Sequence, residues 1–118
     1  MRNMSFFLTT QQFRDHKKTV TRRLGWKNAK TGWRVMGVVK CQGLKRGEKI
    51  ERLGPVAFAQ VTRERLDTLI TSPEYGRDEV KREGFPELSP HEFVRMFCKH
   101  NHCRPSSKVT RIAFRYIL

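Results

Sequence analysis

The chain has 118 residues, of which 25 are lysine or arginine and 11 are aspartate or glutamate, giving a formal net charge of +14 at pH 7. This length suits a single folded domain spanning residues 1–118, and no apolar run approaches the ~20 residues that a membrane span requires. The apolar centre of the N-terminal segment is too short for a signal peptide. We therefore expect a cytoplasmic protein with no membrane partner.

The basic charge is concentrated in the first half of the chain. Residues 1–52 carry 14 basic and 3 acidic side chains, a net charge of +11, whereas residues 53–118 carry 11 and 8, a net charge of +3. A large basic excess is typical of proteins that bind nucleic acid. Solubility alone needs only a few net charges and does not explain the asymmetry. We expect a polyanion to meet the first half.

The first half of the chain predicts two strands, a short helix and a long loop. The apolar residues 6–8 indicate a strand, and Thr9 with Gln12 indicates a capped helix of about two turns after it. Residues 33–40 alternate in the manner of a strand. Residues 41–54 contain three glycines and mixed charge, which indicates a flexible loop that can close over a ligand.

The second half predicts two further strands with helices between them. Residues 55–65 indicate a strand, and residues 66–84 indicate two helices, the second ending at Gly84. Ser89 begins the clearest helix, with proline next and a glutamate three positions on to complete a capping box. The face of this helix that carries Phe93, Met96 and Phe97 is predicted to be core. Residues 108–118 alternate as a closing strand. The mixed order predicts an α+β domain with a small twisted sheet or partly closed barrel.

The basic run from Lys17 to Arg23 admits two chemical interpretations. Neighbouring cations and partial burial lower the pKa of Lys18, so that it can act as a base, and a base activates a threonine hydroxyl such as Thr21 as a nucleophile. Alternatively, Lys18, Thr21 and Arg23 cradle a phosphate through an ammonium, a hydroxyl and a planar guanidinium. Residue chemistry alone favours the phosphate, because basic clusters are commoner than activated threonines.

Two other features are candidates for binding. Trp26 follows the basic run, where an exposed indole can stack on a base, although it can equally anchor a loop to the core. The candidate metal ligands are Cys98, His100, His102 and Cys103. Zinc prefers such ligands, but four so close together fit poorly around one tetrahedral ion. We predict no metal and no cofactor, and free thiols at all three cysteines.

Four motifs occur in an order that resembles the ASCH domain family of the PUA-like superfamily. They are the run Lys18–Arg23, a strand opening near Gly32, the sequence EGFP at Glu83–Pro86 and the sequence HEFVRMF at His91–Phe97. The resemblance spans nearly the whole chain. It implies a PUA-like fold, a small β-barrel with flanking helices around a cleft, which is generally associated with RNA binding.

The resemblance also implies candidate catalytic residues. One branch of the family hydrolyses the acyl group of N4-acetylated cytidine with a lysine and a threonine of a K-T-x-T motif and a more distant glutamate. Carried over by motif position, these are Lys18, Thr21 and Glu83. Other members are described as ribonucleases that use a lysine of this region. The long loop and the strong basic character of this chain depart from a nucleoside-processing enzyme.

These observations favour RNA, or another single-stranded nucleic acid, as the partner of a monomeric protein. The predicted nucleic-acid contacts are Lys17, Lys18, Arg22, Arg23, Trp26, Lys45 and Arg46, in a basic cleft built around Lys18, Thr21 and Arg23. The alternative is an amidohydrolase acting on N4-acylated cytidine-type nucleosides, with Thr21 as nucleophile, Lys18 as base and Glu83 as acid or orienting group. A metal-independent ribonuclease is the third hypothesis.

Overall fold

The chain folds into five β-strands and four α-helices in a computed structural model that describes residues 1–118. The strands are β1 (Arg2–Ser5), β2 (Val20–Arg23), β3 (Arg34–Val38), β4 (Arg52–Arg65) and β5 (Lys108–Tyr116). The helices are α1 (Thr10–Arg14), α2 (Thr68–Thr71), α3 (Pro73–Arg82) and α4 (Pro90–Asn101). A 3-10 turn, Phe7–Thr9, joins β1 to α1. The predicted α+β class is confirmed.

The strands form one mixed sheet in the order β1-β3-β4-β5-β2 that curls into a half-barrel. β1 pairs in parallel with β3, and the other pairs are antiparallel. The register shifts between Gly37 and Val38 and again between Phe58 and Gln60. Such irregularities increase the local twist, which curls the sheet. β1 and β2 are left as the two edge strands.

Two apolar clusters hold the fold together. The first packs against the concave sheet and consists of Met4, Phe6, Phe13, Ala29, Val35, Val56, Phe58, Ile112 and Phe114. The second joins α2, α3 and α4 to the far end of β4 and β5 and consists of Leu66, Leu69, Val80, Phe93, Val94, Phe97 and Val109. Removing this apolar surface from water is the main force that holds the helices against the sheet.

Local signals in the sequence set the ends of the helices. The Ser89 side chain accepts a hydrogen bond from the Glu92 amide, and the Glu92 carboxylate accepts one from the Ser89 amide. The capping box is therefore confirmed. Gly84 follows α3 with φ of +103°, a left-handed conformation that costs glycine little. The predicted end of the second helix is likewise confirmed.

Some predicted boundaries are wrong near the N-terminus. Residues 6–8 are not a strand, because β1 ends at Ser5 and Phe7–Thr9 form the 3-10 turn. Thr9 precedes α1 but its side chain makes no capping hydrogen bond. The apolar character of this segment reflects packing instead, since Phe6 is buried in the first cluster.

None of the helices has the length and apolarity to cross a membrane.

Candidate active site

A cavity of about 240 Å³ lies between the two edge strands. Ser5 at the end of β1 and Thr21 in β2 both line it, and α4 forms its outer wall. Because β1 and β2 do not pair with each other, the half-barrel leaves room for a cavity here. The polar lining includes Lys18, Thr21, Arg23 and Glu83, and the apolar lining includes Phe6, Phe7, Phe85, Phe93 and Phe97.

Lys18 is enclosed where the chain passes from α1 into β2. Its ammonium donates hydrogen bonds to the Glu83 carboxylate oxygen Oε1 and to the Glu83 carbonyl, both at 2.8 Å. Its own carbonyl accepts a hydrogen bond from the Tyr116 hydroxyl, which ties this connection to β5. Burial lowers the pKa of Lys18, and the opposing effect of Glu83 does not cancel it. The neutral amine is therefore more accessible than in an exposed lysine.

Glu83 lies at the C-terminal cap of α3 and accepts hydrogen bonds on both carboxylate oxygens. Lys18 donates to Oε1, and Arg22 donates through Nη1 to Oε2 at 3.0 Å. Gly84 allows the chain to turn directly after Glu83, and a Cβ at Gly84 would lie 2.9 Å from Cγ of Gln12. This close approach of α1 fixes the position of Glu83. The carboxylate is therefore arranged to hold the Lys18 ammonium in place.

Thr21 and Arg23 project from the same face of β2 towards the cavity. The Thr21 hydroxyl oxygen accepts a hydrogen bond from Arg23 Nε at 3.0 Å, which leaves the hydroxyl hydrogen free for another acceptor. The Arg23 guanidinium also lies 5.0 Å from the centre of the Phe6 ring. Burial lowers the pKa of Arg23 to about 10. Only 3% of the surface of Lys18, Thr21 and Glu83 is exposed in each case.

Arg22 points away from Thr21 and into a buried network of charges. Its side chain has 0% exposure and donates to Glu79 at 2.6 Å as well as to Glu83. Arg111 donates to the second oxygen of Glu79 at 3.1 Å. That Arg22 contacts a nucleic acid stays a prediction, since its two terminal nitrogens donate to carboxylates in the interior while its Nε has no partner and the residue also lines the cavity. The network instead joins β2 and β5 to α3.

Phenylalanine side chains form most of the apolar wall. The Phe85 and Phe93 ring centres are 5.9 Å apart, and those of Phe93 and Phe97 are 6.3 Å apart. The sequence predicts the Phe93 and Phe97 face of α4 as core only, and the structure shows that it serves both the core and the cavity. Phe85 lies inside the EGFP motif, which was the available signal for an aromatic group beside Glu83.

Trp26 does not provide an open stacking surface. Its ring is covered by the Arg2 guanidinium at 4.2 Å and meets Phe58 edge-on at 6.1 Å between centres. The alternative interpretation, a tryptophan that anchors its loop to the core, agrees with the structure. That Trp26 stacks on a base stays a prediction, and these contacts favour the anchoring role. Its cation-π contact also links the start of β1 to the end of β2, away from the cavity.

The remaining predicted nucleic-acid contacts lie on the surface. Lys17, Lys45 and Arg46 are exposed, and none of them lines the cavity. Lys45 belongs to the loop between β3 and β4, where its amide donates to the Glu48 carboxylate at 2.8 Å. Of the cations predicted from the basic run, the structure brings Lys18, Arg22 and Arg23 to the cavity and leaves Lys17 outside it.

The cysteine and histidine residues near the end of α4 do not converge on one point. The Cys98 and Cys103 sulfur atoms are 3.8 Å apart, and all three cysteines are free thiols. Burial raises the pKa of Cys98 to about 11. His100 lines the cavity instead. No group of three or more histidine, cysteine, aspartate or glutamate side chains has an arrangement that could hold a metal ion.

Comparison with protein-family models, with curated proteins and with solved structures found no match for this chain. The chemistry of the cavity therefore has to be inferred from its own residues. It combines a buried amine of lowered pKa, a buried hydroxyl with a free hydrogen and a carboxylate that orients the amine. A nucleophile, a base and a group that orients the base are components of nucleophilic attack on a carbonyl, although Lys18 is bonded to Glu83 and Thr21 to Arg23 rather than to each other.

Proposed function

We propose that this protein is an amidohydrolase that removes the acyl group from N4-acylated cytidine-type nucleosides. The observation that carries the proposal is the burial of Lys18, Thr21 and Glu83 together at one phenylalanine-walled cavity. A phosphate backbone in water would need exposed cations, whereas a planar base and a short acyl group suit a cavity with phenylalanine side chains in its wall. The ASCH resemblance supports the same three residues.

In the proposed reaction, the Thr21 hydroxyl oxygen attacks the acyl carbonyl carbon while the neutral Lys18 amine takes the hydroxyl proton. The tetrahedral intermediate then breaks its carbon–nitrogen bond, and the Lys18 ammonium returns the proton to the departing amino group of cytosine. Water then attacks the resulting threonine ester while Lys18 takes its proton, and the Lys18 ammonium returns that proton to the departing Thr21 oxygen as the carboxylic acid is released. No redox partner is needed, and all protons are accounted for.

Glu83 and Arg23 have supporting roles in this proposal. Of the two roles open to Glu83, acid or orienting group, its hydrogen bonds favour the second, since both of its oxygens accept from cations. It thus holds Lys18 and stabilises its charged form during the reaction. Arg23 keeps the Thr21 hydroxyl oxygen in one orientation and lies where negative charge develops on the attacked carbonyl.

The proposal also includes the fold family. The curled sheet with helices at its open side is compatible with the PUA-like barrel that the ASCH resemblance implies. Three of the four motifs that suggested the family meet in space, since the Lys18–Arg23 run, Glu83 and the α4 helix all contribute to the same cavity. This agreement supports membership of the ASCH family as part of the proposal.

The test is incubation of the protein with N4-acetylcytidine and separation of the products by chromatography. We expect cytidine and acetate from the wild type, and a loss of at least ~100-fold in rate for Lys18→Ala and Thr21→Val. The matched controls are Lys17→Ala and Thr19→Val, which change the neighbouring lysine and threonine. Circular dichroism checks that the buried variants fold. Absence of cytidine at high wild-type concentration would overturn the proposal.

RNA binding is the second function that we propose, and the exposed basic charge supports it. Lys17, Lys45 and Arg46 are free of the buried network, and the first 52 residues carry a net charge of +11. Affinity for a polyanion that comes from these surface charges should fall steeply as the salt concentration rises. Filter binding of RNA oligomers at several salt concentrations tests this, with Lys45→Ala compared against Lys99→Ala on α4. Salt-independent or absent binding would exclude it.

A further inference from the structure

A second cavity of about 260 Å³ adjoins the candidate active site. Ser5 and Phe7 line both cavities, so that the two spaces share a wall at the end of β1. The rest of the second cavity is formed by Lys40, Cys41 and Gln42, where the chain leaves β3 and enters the long loop. Nothing in the proposed hydrolysis of a free nucleoside uses this second space.

Phe7 stands between the two cavities with most of its side chain in water. It is 58% exposed, and the other seven phenylalanines are buried or half-buried. Phe6 is packed into the core at 1% exposure, and its amide donates to the Val38 carbonyl at 2.8 Å. The backbone at this point is therefore fixed, and the adjacent side chain has to face outwards. An exposed ring beside a cavity is suited to stacking on a planar group.

The wall opposite Phe7 is polar and basic. Lys40 is partly exposed and pairs with Glu48 at 3.3 Å, and Gln42 presents an amide that both donates and accepts hydrogen bonds. The Ser5 hydroxyl donates to the Val39 carbonyl at 3.0 Å, which attaches the start of this wall to β1. A cation, an amide and an exposed ring within one cavity match the phosphate, base edge and base face of a nucleotide.

We propose that the second cavity binds the nucleotide that adjoins the acylated one, so that the substrate is a residue within single-stranded RNA. The neighbouring base stacks on Phe7, and the phosphate that joins the two nucleotides replaces the Glu48 carboxylate as the partner of Lys40. This inference rests on the proposed hydrolysis of N4-acylated cytidine at the first cavity. A substrate within RNA also accounts for the basic charge of the first 52 residues, which binding of an uncharged nucleoside does not require.

The experiment measures binding separately from hydrolysis. Calorimetry compares the affinities of unmodified cytidine, cytidine monophosphates and cytidine-containing dinucleotides with the neighbour on the 5′ or the 3′ side. We expect one of the two dinucleotides to bind at least ~10-fold more tightly than cytidine and than either monophosphate. Phe7→Ala and Lys40→Met should remove this gain. Ile50→Ala changes an exposed apolar residue that lines neither cavity and should retain it.

Equal affinities for cytidine and both dinucleotides would overturn the inference. A gain that the monophosphates match would also overturn it, because a free phosphate would then account for the second cavity without a neighbouring base. If the dinucleotide gain is present but N4-acetylcytidine is not hydrolysed alone or within RNA, the second cavity stands and the proposed hydrolase fails. If the nucleoside is hydrolysed but neither dinucleotide binds more tightly than cytidine, the proposed hydrolase stands and the second cavity fails.

Discussion

Replacement of Arg22 by methionine should destabilise the protein strongly although Arg22 touches no ligand in our proposal. The side chain is fully enclosed and donates to Glu79 at 2.6 Å and to Glu83 at 3.0 Å. Removing one partner from a buried ion pair typically costs 3–5 kcal/mol, because a charge is left without compensation. Glu79 keeps Arg111 and Glu83 keeps Lys18, so we expect the lower end, about 3 kcal/mol.

This loss is measurable by thermal and urea unfolding. For a domain of this size, about 3 kcal/mol corresponds to a fall in Tm of roughly 12 °C. The matched control is Arg82→Met, which removes an exposed arginine that pairs with Asp78 four residues away. That change should cost at most about 0.5 kcal/mol. If Arg22→Met costs less than about 1 kcal/mol, the buried network does not hold β2 to α3, and the reasoning is refuted.

Three further predictions follow from the same structure. The rate of hydrolysis should rise with pH as Lys18 loses its proton. Burial lowers the pKa of Lys18 and the Glu83 carboxylate opposes this effect, so Glu83→Gln should shift the rise to lower pH. A pH–rate profile that does not shift contradicts this prediction. Gly76→Ala should destabilise the protein by about 2 kcal/mol in thermal melts, because the new Cβ would lie 1.8 Å from the Leu69 carbonyl oxygen. In an open helix the same change usually stabilises by about 1 kcal/mol, and that result here would contradict the predicted clash. Although burial acts to raise the pKa of Glu79, hydrogen bonds from its two arginine partners hold it below the ordinary value. Its contribution to stability is therefore complete above an unfolded-state pKa of ~4.3 and is lost as the pH falls through the folded-state pKa, so Glu79→Gln should flatten the acid limb of a stability–pH curve.

Part of the candidate site could be predicted from sequence, because Lys18 and Thr21 belong to one short basic run, although their spacing alone does not fix whether the two side chains face the same space. The role of Glu83 came only from the family resemblance, since it lies 65 residues from Lys18. Trp26 and Arg22 show the limit of the approach. A basic or aromatic residue within a basic run can equally face solvent or the interior, and composition does not distinguish the two directions.

The aromatic wall was only half predicted for a related reason. The spacing of Phe93 and Phe97 correctly places both on the buried face of α4, but a buried face and a cavity wall have the same periodicity. The only sequence signal for the second cavity was the prediction that the loop of residues 41–54 can close over a ligand. It depends on where the long loop leaves β3 relative to Phe7, and this is a property of strand order.

The sequence by itself determined the features that act within a few residues. The capping box at Ser89 and the left-handed glycine after α3 are both local, and each directs its own segment whatever the rest of the chain does. Only the tertiary structure decided that the two edge strands stay apart, that Arg22 turns inwards and that Glu83 reaches Lys18. These outcomes depend on the curl of the sheet and on the packing of α3 and α4 against it, which many residues far apart in sequence set together.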